Sequence, residues 1–145
     1  MASQNLNYAR TRAFARVLGP YLAIATAIIG YRAPWMGGEM NSFFGNAALV
    51  FITGAFMLFA GLSIIAFHQY WNGLAAILIS VFGWFLTLRG GVLMLAPDLY
   101  RQAGVAAAPH MNLVRDGFFA LTILGLYFIW VGWIFRPKAA AAPEG

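Results

Sequence analysis

Apolar residues run in long blocks along this chain, and polar residues gather in the gaps between them. Residues 43–67, FFGNAALVFITGAFMLFAGLSIIAF, pass twenty-five positions without one charged side chain. A helix crossing the hydrocarbon core of a bilayer needs about twenty consecutive mostly apolar residues. The pattern predicts four such spans, at about 14–31, 43–67, 73–96 and 117–135. The first carries Pro20 near its start, where proline is better tolerated than in mid-helix. Pro97 closes the third span, and Arg136, Pro137 and Lys138 close the fourth. The expected fold is an all-α membrane protein, a four-helix transmembrane bundle in one domain over residues 1–138. Residues 139–145 read as a disordered tail.

The gaps add detail. APWMGGEMNS, between the first two spans, reads as an interfacial turn anchored by Trp35. The stretch from Asp98 to Asp116 is long for a connection, and long loops are functional or disordered. Its centre, AGVAAAP, is too weakly apolar to span anything. Gly54 and Gly61 lie seven apart in the second span, as Gly125 and Gly132 do in the fourth. With Pro34 and Pro97 each following a span, these spacings suggest two similar hairpins related by an axis along the membrane normal.

Composition narrows the class. Of 145 residues 62% are hydrophobic and 9% charged, against roughly a quarter charged in soluble domains. The net charge of +5 comes from cations at the ends of apolar runs, a topology signal rather than a nucleic-acid footprint. The chain has no cysteine, which excludes disulfides and thiolate metal sites. Arg10, Arg12 and Arg16 precede an apolar segment with Ala23, Ala25 and Ala27, as in a secretory signal. Too few apolar residues separate them for a proper hydrophobic region, so the segment reads as a retained first span.

Arg10, Arg12, Arg16, Arg136 and Lys138 flank the two termini, whereas Arg32, Arg101 and Arg115 lie in the other two long gaps. The short turn HQYWNG has neither Lys nor Arg. By the positive-inside rule both termini are expected in the cytoplasm. With no mitochondrial-type presequence, the bacterial inner membrane is the expected setting.

The third span carries the densest information. Ala76, Ser80, Gly83, Thr87 and Gly90 recur at spacings of four and three, which puts five small residues on one helix face. Small faces let helix backbones approach closely in lipid, so the stripe predicts a helix contact, within the bundle or between protomers. Arg89 points away from that stripe, about 12 Å along the axis from Pro97. A guanidinium within a span calls for a partner or a path to water. Glu39, Asp98 and Asp116 fall on the side toward which this span heads, and Asp116 is the expected partner. Arg89 reads either as the lining of a polar or anion path, or as an anchor snorkelling outward.

His68 ends the second span, about 24 Å of helix rise from Arg89, so the two belong to different sites. It reads as an interfacial residue capping the last carbonyls beside Tyr70 and Trp71, with a proton relay or lone metal ligand as the functional alternatives. Met36, Met40, Met94, His110 and Met111 lie on the other side. Thioethers select Cu(I), but only one close pair is present, and methionine as flexible packing is the ordinary account. No metal and no cofactor is expected. Motifs such as H-E-x-x-H, G-x-S-x-G and the P-loop are absent, and no enzymatic activity is expected.

The segment HQYWNGLAAILISVFGWFLTLRGGVLMLAP resembles a pattern in small, uncharacterised four-span bacterial inner-membrane proteins. They carry a His-x-x-Trp turn, a Gly-Trp, a basic residue before glycine, and a closing proline. The matching positions are His68, Trp71, Gly83, Trp84, Arg89, Gly90 and Pro97. Gln69 stands where such proteins more often have asparagine, and Arg89 where they have lysine. The resemblance implies fold and location and brings no activity with it. Two functional classes stay open: a structural or accessory protein that self-associates or joins a larger membrane complex, and a small oligomeric transporter or channel using Arg89. The lipid bilayer is the expected partner in both, and nucleic acid in neither.

Overall fold

The first helix, α1 (Ala2–Arg32), continues through Pro20 and starts well before the apolar block that predicted it. The computed structural model describes residues 2–135; the expected tail at 139–145 lies outside them. A single 3-10 turn at Ala33–Trp35, with Pro34 at its start, leads into a short helix α2, Gly37–Gly45. Asn46 then divides the block at 43–67. Its side chain accepts the Leu49 backbone N–H at 3.1 Å, an N-cap that starts α3, Ala47–Phe67. Phe43 and Phe44 therefore belong to α2 and not to the second span. Helix α4, Leu74–Leu95, begins after Gly73, whose φ of 96° favours glycine.

The long connection after α4 is helical. Ala96, held out of the helical region ahead of proline, ends α4, and Pro97 opens the amphipathic helix α5, Pro97–Ala107. Asp98 in its first turn suits the positive end of the helix dipole. After a second 3-10 turn, Ala108–His110, α6 runs Met111–Ile129 and ends in a π-turn at Trp130–Ile134. Among the described residues four stretches are long and apolar enough to cross a bilayer: Asn7–Trp35, Ala47–Phe67, Leu74–Leu95 and Pro97–Ile134. Phe59, 72% exposed, typifies an exterior suited to lipid rather than water.

The spans pack as two tight pairs, α3 with α4 and α1 with α6. The small-residue stripe of α4 lies inside the first pair. A Cβ on Gly83 would stand 2.7 Å from Ile64 Cγ2, and one on Gly90 would stand 2.7 Å from the Gly54 carbonyl oxygen. The stripe is thus an intrachain contact. In the second pair a Cβ on Gly19 would stand 2.7 Å from the Ile129 nitrogen.

The two pairs repeat each other at a fixed offset of 71 positions. Gly61 faces the Thr87 backbone nitrogen as Gly132 faces that of Arg16; Gly90 faces Leu58 as Gly19 faces Ile129. Gly54 faces Met94 and the Gly90 carbonyl, just as Gly125 faces Ala23 and the Gly19 carbonyl. Two hairpins related by rotation about an axis along the bundle produce this pattern. Gly19, the counterpart of Gly90, completes the set. Pro34 and Pro97 do not keep that offset and are not counterparts.

Between the pairs, Ala15, Leu22, Ile64, Ile79, Phe128 and Val131 form the buried core. Thr26 and Thr122 join α1 to α6 across 2.8 Å, each also bonded to its own helix.

Candidate functional site

The most buried polar group in the bundle is the His68 side chain, at 0% exposure. The turn after α3 folds it inward rather than leaving it at the interface. The ring caps no helix carbonyl; only its backbone N–H does so, to Ile64 O at 2.7 Å. Thr11 Oγ1 of α1 lies 3.0 Å from Nε2, and Ser80 Oγ of α4 lies 3.3 Å from Nδ1. Phe14 and Tyr70 stand edge-on to the ring at 5.3 and 5.2 Å. One residue thus ties α1, α4 and the turn together.

Each hydroxyl carries a single proton. Thr11 Oγ1 also lies 3.0 Å from Asn7 O, and Ser80 donates to the Tyr70 carbonyl at 3.0 Å, which fastens the turn to α4. In the neutral ring one nitrogen donates to its hydroxyl partner and the other accepts. Burial lowers the pKa of His68 below 6.5, partly opposed by its own backbone hydrogen bond. The neutral imidazole is the form this site holds.

A Ser–His contact is one element of a nucleophilic site. Here Ser80 is 1% exposed, and among the described residues the other ring nitrogen meets the Thr11 hydroxyl and not a carboxylate. A cavity of about 510 Å³ lies beside the junction, lined by Tyr8, Thr11, Tyr70, Tyr127 and Trp130 among others. His68 and Ser80 do not line it. Among the described residues, Tyr8 Oη and Arg12 Nε, one turn apart on α1, are buried without hydrogen-bond partners.

The π-turn of the fourth span adds a second polar junction. Arg12 and Arg16 both donate to the Gly132 carbonyl, at 3.2 and 2.9 Å, and Arg16 lies over the Trp133 ring. A π-turn changes the carbonyl register of a helix end, and here the carbonyl accepts two guanidinium groups. This contact brings residue 12 beside residue 132, so the start of α1 and the end of the fourth span share one end of the bundle.

The expected cluster of Arg89, Asp116, Asp98 and Glu39 is not assembled. Glu39 pairs with Arg32, Asp98 with Arg101 at 3.1 Å and Asp116 with Arg115 at 3.3 Å. Arg89 is exposed on the outside of α4, its Cζ 4.9 Å from the Tyr100 ring centroid and 5.9 Å from that of Phe85. Helix α5 brings Tyr100 there, which the reading of 98–116 as a loop missed.

The remaining motif positions divide between packing and surface. Gly83 and Gly90 serve the α3–α4 contact, Trp71 and Trp84 are exposed, and Pro97 starts α5. Met94 packs on Gly54 and Met40 on Gly104. Among the described residues no three His, Cys, Asp or Glu side chains gather as metal ligands would. Thr11, and the meeting of Arg12 and Arg16 on the Gly132 carbonyl, escaped the sequence reading, which took the two arginines only as topology signals. Thr11 shares a helix face with Ala15 and Leu22, and a hydroxyl on a core-facing stripe was the available signal. No protein family, curated protein or solved structure matches this chain.

Proposed function

We propose that this chain is a non-enzymatic, structural or accessory subunit of a bacterial inner-membrane assembly, with both termini in the cytoplasm. The observation that carries this reading is that the polar side chains of the core bond within the chain. His68 bonds Thr11 and Ser80, and Thr26 bonds Thr122; the two unpartnered buried atoms, Tyr8 Oη and Arg12 Nε, lie together near the start of α1, so among the described residues no polar file runs along the bundle. Arg89 lies outside, stacked on Tyr100, where it suits a snorkelling anchor. The orientation rests on Arg10, Arg12 and Arg16 at the end shared by the start of α1 and the end of the fourth span, with Arg136 and Lys138 following in sequence. The likeness of residues 68–97 to small four-span bacterial proteins supports the location. Because the small-residue stripe is used within the chain, association with other proteins falls to the outer faces.

Reconstitution tests this against the transporter reading. The purified chain in vesicles is expected to add no anion flux over empty vesicles, and native purification to retain a membrane-protein partner in fixed ratio. Anion flux that disappears in Arg89→Gln would overturn the proposal in favour of a transport path.

A further inference from the structure

Helices α1 and α3 face each other without the close backbone approach seen in the two tight pairs. Between them runs a groove of about 750 Å³, walled by Phe14, Val17 and Tyr21 of α1 and by Phe56 and Ala60 of α3, with Phe82 of α4 at its base. Val17, Tyr21 and Phe56 are each more than half exposed, so the groove opens sideways, toward lipid. It follows α1 from Ala13 to Tyr21, about 12 Å of helix rise. One leaflet of the hydrocarbon core is about 15 Å deep. The groove therefore spans about the depth of one leaflet, toward the end of the bundle shared by the start of α1 and the end of the fourth span.

Arg10 lies one helical turn ahead of the groove on α1. Arg10, Phe14, Val17 and Tyr21 follow at spacings of four, three and four, so they share one face of α1. The guanidinium donates to Tyr70 Oη at 2.6 Å. Tyr70 meets His68, and His68 meets Phe14, edge to face, so a row of rings links the cation to the groove. Among the described residues no carboxylate pairs with Arg10; the ion pairs formed by Glu39, Asp98 and Asp116 lie elsewhere.

The lining identifies the occupant. Helices that pack in lipid do so through small residues, yet this groove is walled by rings that hold another helix off. Of its two hydroxyls, that of Ser63 is bonded within α3 to Phe59 O at 2.8 Å, and that of Tyr21 belongs to a side chain 66% exposed, so the enclosed part of the groove is apolar. A thin, flexible, apolar chain ending in an anion matches both the cleft and the cation one turn ahead of it. We infer that an anionic phospholipid binds here, its phosphate against Arg10 and the Tyr70 hydroxyl and one acyl chain between α1 and α3.

Native mass spectrometry of the full chain in detergent, titrated with phosphatidylglycerol or phosphatidylcholine, tests this. One phosphatidylglycerol per chain should be retained in preference to phosphatidylcholine. Arg10→Gln should weaken phosphatidylglycerol binding about fivefold, the worth of one cation near an anionic surface, and Ala60→Trp should abolish it by filling the groove. Arg89→Gln, at the opposite end, should change nothing. Equal binding of both lipids, undiminished in Arg10→Gln and Ala60→Trp, would overturn the inference, as would a second copy of the chain that Ala60→Trp dissociates. Should either variant fail to fold, photoreactive phosphatidylglycerol on the unaltered chain decides. Adducts concentrated on residues 13–21 and 56–64 support the site, and adducts spread evenly over the spans refute it.

Discussion

Thr11 and His68, fifty-seven positions apart, meet through Oγ1 and Nε2 at 3.0 Å inside the bundle. Removing the hydroxyl leaves a buried ring nitrogen with nothing to bond, which costs about 1–3 kcal/mol. Thr11→Val is therefore expected to lower the melting temperature in detergent, whereas Thr11→Ser should retain most of it. Equal melting of the wild type and Thr11→Val would show that the contact contributes no stability.

Acid should loosen the same junction. The folded state holds His68 below its ordinary pKa, so the unfolded chain binds a proton that the folded chain resists. The stabilising contribution is complete above about pH 6.5 and is lost as the pH falls through the depressed folded value. Melting temperature in detergent should drop on acidification below that point, and His68→Asn should flatten the dependence. A wild-type profile that matches the variant's would place the titration elsewhere.

Gly83 and Gly132 make equivalent tests of the two helix pairs. Leucine at Gly83 meets Ile64, and leucine at Gly132 meets the α1 backbone at Ala15 and Arg16. Overpacking of this kind costs about 1–3 kcal/mol or more. Each substitution should lower detergent stability while leaving the oligomeric state alone, because both contacts are within the chain. A change in oligomer size with unaltered stability would assign the stripe to an interface between copies.

For Arg89, the expected partner is a ring and not a carboxylate. A double-mutant cycle of Arg89→Gln with Tyr100→Leu should show coupling of about 0.5–1 kcal/mol. The cycle of Arg89→Gln with Asp116→Asn should be additive, since Asp116 bonds Arg115. Coupling in the second cycle and none in the first would restore the acid pairing.

Reporter fusions address orientation. Fusions after Lys138 and within residues 106–109 should report opposite compartments, the first cytoplasmic. The same compartment for both would mean an even number of crossings between them and overturn the topology.

Hydrophobic periodicity and length fixed the number of spans, because a bilayer leaves a helix few other ways to satisfy its backbone. The stripe at Ala76, Ser80, Gly83, Thr87 and Gly90 announced a close contact from spacing alone, since no other residues let helices approach so near. Its partner was not legible. Only the fold sets Gly54, Leu58 and Gly61 against it, and only the recurrence of the same approaches around Gly19, Gly125 and Gly132 separates duplication from ordinary glycine abundance. Side-chain destinations were hidden for a related reason. His68, Arg89 and Asp116 each had several neighbours within reach along the chain. Which of them each meets depends on how the turn at 68–73 folds inward and where α5 lays Tyr100. Those are long-range outcomes of packing, and local sequence carries the demand for a partner without naming it.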